Sequence, residues 1–327
     1  MKLPDILETE IIEKLQNTNL KDLKFKASDL STKYMNDERK GQTLLSTYQD
    51  AIVYSVMRMP ATYAAVRKIL EQIESNLYEI NSYMDVGAGT GAATWAVNDM
   101  LNVKKVTCIE REDAMQRLGK ELMQKQEDLR DTKWINLDVV KQDLPVKADL
   151  IIASYMINEI REEERIQVVE KLFNNTNKIL IIIEPGTPAG FGNIRRIQKY
   201  VIDRNIKILA PCIGQTICQL PEDDWCHTTV RISRNKYHKY LKSGTAPYED
   251  EKFSYIVLTK TSNIGNENMT KNIESRILRH PIIEKGKVIM KLCSNGEITE
   301  RTITKGEKDL FKEAKKKDCG DMLILRS

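Results

Sequence analysis

The 327-residue sequence predicts an α/β fold in which a Rossmann-like sheet is wrapped by helices, behind a helical lead-in and ahead of a small extension that contains β-structure. Three observations carry this reading. Short apolar runs alternate with helical stretches between residues 80 and 260. The run NKILIIIEP at 177–185 has an unbroken apolar centre, as a strand covered on both faces requires. A glycine-rich turn, DVGAGTG at 85–91, stands where the first strand passes into a helix.

Taken in order, residues 1–79 form the helical lead-in. ILETEIIEKL, LKDLKFKASDLSTKYMND and TYQDAIVYSVMRMPATYAAVRKILEQI carry apolar residues three and four apart, and Pro60 breaks the last into two helices because its ring removes a donor and clashes with the preceding turn. Residues 80–260 form the sheet domain. Its strands are YMDVGAG, KKVTCIE, KWINLD, ADLIIASYMI and KILIIIEPG, followed by a helix near 189–206, a cysteine-rich segment at 210–227, and two later strands, HTTVRISRN and FSYIVLTK. TSNIGNENMTKN, rich in Asn, Ser and Thr, reads as a linker. Residues 270–327 form the extension, where KVIMKLCSNGEITERTITK predicts a hairpin with Asn295 and Gly296 at its turn.

Composition narrows the function classes. With 41% hydrophobic and 30% charged residues the chain is neither disordered nor a membrane protein, and no run of apolar residues is long enough to span a bilayer. The start, MKLPDILETEIIEKL, lacks a signal-peptide pattern and carries too many acids for an organellar presequence, so a cytoplasmic location is expected. Thiols stay reduced there, and clustered cysteines point to metal or redox chemistry before disulfides. The net charge of +4 sits wholly in residues 261–327, which hold 14 Lys and Arg against 10 Asp and Glu. That surplus fits either a nucleic-acid footprint or a solvated surface.

Gly87, Gly89 and Gly91 let the chain turn sharply and let a ligand approach the main chain. Asp85 precedes them, and Glu110 ends the next strand, where a carboxylate can accept both ribose hydroxyls of a nucleoside. A dinucleotide brings a pyrophosphate that wants an unobstructed helix N-terminus; S-adenosylmethionine (SAM) brings an ammonium and a sulfonium, which an acid at the loop favours. The pattern resembles motif I and the second-strand acid of class I methyltransferases. No Lys-Ser or Lys-Thr follows the glycines, which argues against a Walker loop. Asp138, after the third strand, is a candidate for the adenine edge or a strand-end acid that serves solubility. In SYMINEI, after the fourth strand, Asn158 and Glu159 are candidates for holding or deprotonating an acceptor nitrogen, or for capping the next helix and enriching its first turn. Neither this segment nor EPGTPAGF contains a cysteine, which disfavours covalent attack on a pyrimidine ring.

The segment APCIGQTICQLPEDDWCH, residues 210–227, concentrates Cys212, Cys218 and Cys226 beside His227 in a chain with six cysteines. The Cys-x5-Cys-x7-Cys spacing is looser than the paired knuckles of structural zinc sites and favours a bulkier iron-sulfur cluster, with zinc as the alternative. His227, Cys293 and Cys319 are open as fourth ligand. Cys108, in an apolar strand, reads as a core residue.

Together, RMPATYAAVRKIL, DVGAGTGAATWA, SYMINEI, IEPGTPAGF, APC, DWCH, EDEKFSYIVL and the late KLC resemble the Rsm-type small-ribosomal-subunit methyltransferase family, known from mitochondria and found also in bacteria, and the chain looks like a bacterial member. The resemblance covers nearly everything from residue 40 onward. It implies a class I SAM-dependent methyltransferase fold, association with the small ribosomal subunit and its rRNA, and a 4Fe-4S cluster. Carried over by position, its cluster ligands are Cys212, Cys218, Cys226 and Cys293, with Cys319 left out. The expectation is a monomer without membrane contact that binds SAM over Asp85, Gly87, Gly89, Gly91, Glu110 and Asp138 and works on rRNA through Asn158 and Glu159. A non-catalytic rRNA-binding assembly factor and a small-molecule methyltransferase with a structural zinc are the competing expectations.

Overall fold

The computed structural model describes residues 1–16, 18–35, 47–212, 216–261 and 272–326. They group into two compact units, one made of residues 1–181 with 230–251, the other of 182–229 with 252–327. Among the described residues no helix is long and apolar enough to cross a membrane. Most of the expected linker, residues 262–271, lies outside the described residues.

The first unit begins with α1 (Asp5–Gln16), α2 (Leu20–Met35), α3 (Tyr48–Met57) and α4 (Met59–Gln72). A reciprocal cap starts α3: Asp50 N–H donates to Thr47 Oγ1 at 3.2 Å, and Thr47 N–H donates to the Asp50 carboxylate at 3.0 Å. Pro60 sits in the first turn of α4, where its missing N–H costs nothing, and Arg58 is the single residue between the two helices. One face of α4, through Ala61, Ala65, Ile69 and Leu70, is fully buried.

The main sheet is built from β1 (Ser82–Val86), β2 (Lys105–Glu110), β3 (Lys133–Asn136), β4 (Ala148–Ser154), β5 (Thr176–Pro185), β6 (Lys207–Ala210), β7 (Thr228–Ser233) and β8 (Tyr248–Thr259). Its order is β3-β2-β1-β4-β5-β8-β6, with β7 paired to β8. β1 runs parallel to both β2 and β4, and β2 runs parallel to β3, whereas β6 is antiparallel to β8. The helices α5 (Ala92–Asn98), α6 (Asp113–Met123), α7 (Glu162–Asn175), α8 (Pro188–Ile202) and α9 (Lys236–Leu241) interleave with these strands. This is an open, mostly parallel, doubly wound sheet of the Rossmann-like kind. In β5 the side chains from Ile179 to Ile183 are all 2% exposed or less, so both faces of that strand are covered, as its continuous apolar run requires. The chain winds outward from β1 through β2 to β3 and returns on the other side with β4. That reversal leaves a crevice beyond the C-terminal ends of β1 and β4, the usual place for a ligand in such sheets.

The second unit carries a further sheet of five strands, β9 (Asn272–Ile277), β10 (Ile282–Glu284), β11 (Lys287–Ser294), β12 (Glu297–Thr304) and β13 (Met322–Arg326). Its order is β10-β11-β9-β13, with β12 paired to β11, and α10 (Lys308–Ala314) precedes the last strand. The predicted hairpin is β11–β12. Asn295 (φ 48°) and Gly296 (φ 87°) both take the left-handed conformation that a two-residue turn demands. Val288, Met290, Leu292 and Ile303 point with Ile277 and Leu323 into a buried cluster.

Two glycines of α8 give opposite expectations. A Cβ on Gly190 would stand 2.1 Å from the Pro185 carbonyl oxygen, a backbone atom that cannot swing away, whereas a Cβ on Gly192 would meet nothing within 4 Å. Gly190→Ala is expected to destabilise by about 1–3 kcal/mol through overpacking. Gly192→Ala is expected to stabilise by about 0.5–1 kcal/mol, the cost of glycine inside a helix. Urea unfolding of the two variants checks both signs.

Candidate functional site

At the crevice, Val86 ends β1 and the chain enters the glycine turn. Gly87, Gly89 and Gly91 all have positive φ (69°, 55° and 85°). At Gly87 space also matters, since a Cβ there would lie 2.9 Å from Met156 Cβ. The turn borders a cavity of about 380 Å³, within the range of roughly 300–1,000 Å³ usual for small-molecule sites. Gly87, Gly89, Glu110, Asp138 and Glu159 line it.

Glu110 is the structural hinge of this wall. It is 8% exposed; one carboxylate oxygen accepts from Gly89 N–H at 2.7 Å and the other from Glu112 N–H at 2.9 Å. Burial raises its pKa, opposed by the hydrogen bonds from Glu112 and Gly89. The Arg111 N–H bonds to it as well, and since a carboxylate offers about four acceptor sites, room for a further donor remains. Asp138, further along the wall, accepts from Val140 N–H at 3.0 Å and faces Lys141 at 3.4 Å.

Three sequence candidates stand elsewhere. Asp85 does not line the cavity; it is fully buried, and its Oδ2 accepts from the Thr94 hydroxyl at 2.8 Å and from Thr94 N–H at 3.2 Å, which fastens α5 to β1. Burial pushes its carboxyl up to about 7 against those two bonds, and the Glu110 charge adds to the rise. Gly91 likewise turns its back on the cavity, where a Cβ would meet Met123. Asn158 and Glu159 share a short 3-10 turn, Ile157–Glu159, from which Glu159 alone reaches the cavity wall.

Sequence reasoning missed two aromatic residues here. Tyr54, from α3, lines the cavity and lies 3.6 Å from the position of a Cβ on Gly89. Tyr155, the residue after β4, holds φ 58° and lines the cavity as well. Its hydroxyl donates to Glu251 at 2.9 Å, while the Arg58 guanidinium lies 3.7 Å from the same carboxylate and 5.6 Å from the Tyr155 ring centre. The only sequence signal was position: Tyr155 lies within SYMINEI, and Tyr54 follows the capped start of α3.

The second unit holds the cysteines. Cys212, Cys218, Cys226 and Cys293 all line one narrow cavity of about 40 Å³, along with His227, Arg195 and Arg276. Burial pushes the Cys212 thiol up to about 12, the charges of Cys293 and Cys218 add to it, and Arg276 opposes it. Burial likewise raises Cys226 and Cys293. The thiols of Cys212, Cys226 and Cys293 are therefore protonated at neutral pH unless a metal displaces their protons. Among the described residues no group of three or more His, Cys, Asp or Glu side chains is arranged to hold a single metal ion. His227 is buried with Nδ1 unpartnered among the described residues, and burial pulls it down to about 4, with Lys252 and His280 adding. Cys319 lies off the cavity; its thiol donates to the carbonyls of His227 (3.2 Å) and Leu278 (3.4 Å). Cys108 is buried in β2, 3.3 Å from the Thr94 hydroxyl.

Comparison with known proteins gives matches of three kinds. The family model described as mitochondrial small ribosomal subunit Rsm22 matches residues 48–324. The human ribosome assembly protein METTL17, mitochondrial, is 24% identical over 337 positions, which cover 98% of this chain and 70% of that protein. Rsm22-cox11 tandem protein 2, mitochondrial, of Schizosaccharomyces pombe is 21% identical over 86% of this chain, and the match spans only 44% of that longer protein. Among solved structures, magnesium protoporphyrin IX methyltransferase from Synechocystis with bound SAM aligns over 70% of this chain and 89% of its own at 14% identity and a TM-score of 0.40. The plantazolicin methyltransferase BpumL aligns over 77% and 99% at 13% identity and a TM-score of 0.44.

Asp85 gives the site a pH signature. Its folded pKa exceeds the unfolded value, so the folded chain binds the extra proton between about pH 4 and 7, and the stability this proton brings is lost as pH rises through that window. Asp85→Asn has no such proton to lose. Its unfolding free energy relative to the parent is expected to climb by up to about 1.4 kcal/mol per pH unit across the window and then level off. Denaturant unfolding at a series of pH values measures this, and a flat difference would show an ordinary carboxyl.

Proposed function

The chain belongs to the Rsm22 family, and on that premise we propose that it is a SAM-binding, methyltransferase-like protein of small ribosomal subunit assembly, with a four-cysteine iron-sulfur centre. The observation that carries the SAM reading is the glycine turn clasped by Glu110 at the sheet's reversal point, on the wall of a cavity of small-molecule size. The cavity suits the group. Glu110 would accept from the ribose with its remaining acceptor capacity, Gly87 and Gly89 would leave the main chain open to the methionine portion, and Asp138 would stand at the adenine end. SAM supplies a methyl on a sulfonium that a nucleophile can attack. Glu159, an acid on the wall beyond β4, would take a proton from an acceptor amine. The rRNA of the small subunit is the proposed acceptor, in the cytoplasm, and the lysine run of the C-terminal region is a candidate phosphate contact. In that run Lys317 is already paired with Glu313 at 3.4 Å and Lys315 lies over the Phe311 ring, so Lys316 is the residue most available to a phosphate.

For the cysteine centre, the supporting observation is the donor set. Four thiols border one cavity with no carboxylate among its lining residues, and four thiolates are the complement of a 4Fe-4S cluster. Cys293 reaches this cavity from β11, whereas the other three come from the segment after β6, so a bound group would tie the small sheet to that segment and couple its loading to folding.

A second reading, SAM binding without methyl transfer, is favoured by the placement of Asn158 off the cavity wall, which leaves Glu159 as the only one of the two predicted acceptor residues at the site. Calorimetric titration with SAM, followed by methyl transfer to small subunits purified from cells lacking the protein, separates the two: binding with no transfer selects the assembly factor.

Two outcomes are expected. Glu110→Ala is expected to weaken SAM binding by about 1–3 kcal/mol, the worth of hydrogen bonds to a charged acceptor; unchanged calorimetric affinity would move the cofactor elsewhere. Anaerobic purification of the full chain is expected to yield about four iron and four sulfide per chain. Cys293→Ser should lose most of both, while Cys319→Ser should keep them. Zinc in place of iron would select the alternative metal.

A further inference from the structure

Arg276 lies in β9 and is 5% exposed. Antiparallel pairing of β9 with β11 sets it directly opposite Cys293, so the two side chains share one face of the sheet. Its guanidinium donates through one nitrogen to the Gly320 carbonyl and through the other, at 2.9 Å, to the Pro211 carbonyl, the residue immediately before Cys212. Register and hydrogen bonding thus place one buried cation beside two cysteines that are far apart in sequence. The same side chain lines the cysteine cavity, whose lining includes no Asp or Glu.

We propose that Arg276 is a built-in counter-charge of the cysteine centre, a positioning residue that fixes the Pro211–Cys212 backbone and, with Arg195 also on the wall, offsets the negative charge of four thiolates in a cavity whose lining holds no carboxylate. This rests on the reading that the centre holds an iron-sulfur cluster. Four thiolates outweigh the positive core of such a cluster, so the loaded centre is anionic and reduction adds one more negative charge. A fixed cation on the wall of the cavity favours the reduced form more than the oxidised one and raises the reduction potential. A guanidinium suits the task because it stays charged when buried and its planar fork can serve two carbonyls at once.

The test uses the full chain, loaded anaerobically, with iron and sulfide content and dye-mediated potentiometry as readouts. Arg276→Met is expected to shift the reduction equilibrium at least tenfold toward the oxidised form, which is 59 mV downward for a one-electron couple. Arg276→Lys, which keeps the charge and gives up one carbonyl, should restore most of that shift while losing its iron faster in air. A loaded Arg276→Met protein with the parent's potential would overturn the proposal and leave the cluster reading standing. A parent chain that takes up neither iron nor sulfide would overturn the cluster reading, and this proposal with it. Should Arg276→Met fail to fold, Arg276→Gln and Arg276→Lys make the comparison, because each retains a donor for Pro211; equal potentials in that pair would also overturn it.

Discussion

A carboxylate taken out of water has to be given donors, and the way Glu110 receives them organises the first unit. Both of its oxygens are met by backbone N–H groups, one of them from the centre of the glycine turn. The turn is therefore pinned to the end of β2 as well as hanging from β1. Because β1 and β2 are in parallel register, Val86 beside Ile109, the bond closes a short, stiff circuit of strand, turn and strand. An unpaired buried charge would cost several kcal/mol, so the turn and the carboxylate hold each other in place, and the cavity wall follows from that mutual requirement. Asp85, one strand over, meets the same demand differently. It accepts from Thr94 and retains its proton up to near-neutral pH, which makes it a fastening for α5 and leaves the wall to Glu110.

The cysteine cavity works under a related constraint with the opposite sign. Thiols are content as neutral groups in apolar surroundings, and burial raises their pKa values until they behave as small hydrophobic side chains. Phe191, Leu220 and Leu278 pack beside them accordingly. Were a metal to claim the thiolates, Arg195 and Arg276, the two cations on the wall held by backbone carbonyls of the surrounding segments, would face negative charge.

Much of this was legible in the sequence, for identifiable reasons. Parallel strands buried on both faces appear as apolar runs, and glycine is favoured where φ is positive, so β1, β2, β4, β5 and the turn announce themselves. The clustering of Cys212, Cys218 and Cys226 was visible because it is local. Direction was less legible than position. Asp85 and Tyr83 alternate with Met84 and Val86 along β1, and spacing alone does not say which face meets the ligand. Tyr54 and Tyr155 reach the cavity through tertiary packing, and no periodicity marks them. Arg276 is the clearest case: its neighbour Cys293 is fixed by strand register across residues whose pattern gives no hint of β9. The three-residue β10, exposed throughout, was equally silent.

The interleaving of the two units bears on how the chain emerges from a ribosome. Glu251, which receives the Tyr155 hydroxyl and faces Arg58, belongs to the first unit but is translated after the whole of 182–229. At about 5–20 residues per second the first 181 residues wait several seconds for the strand that completes them. In that interval the segment bearing three of the four cavity cysteines is already synthesised, and Cys293 arrives later still. A nascent chain therefore presents an incomplete set of thiols next to an unfinished fold. Completion of either unit is a report that translation has passed a fixed point, and a group bound by all four cysteines would mark a chain in which synthesis has passed Cys293.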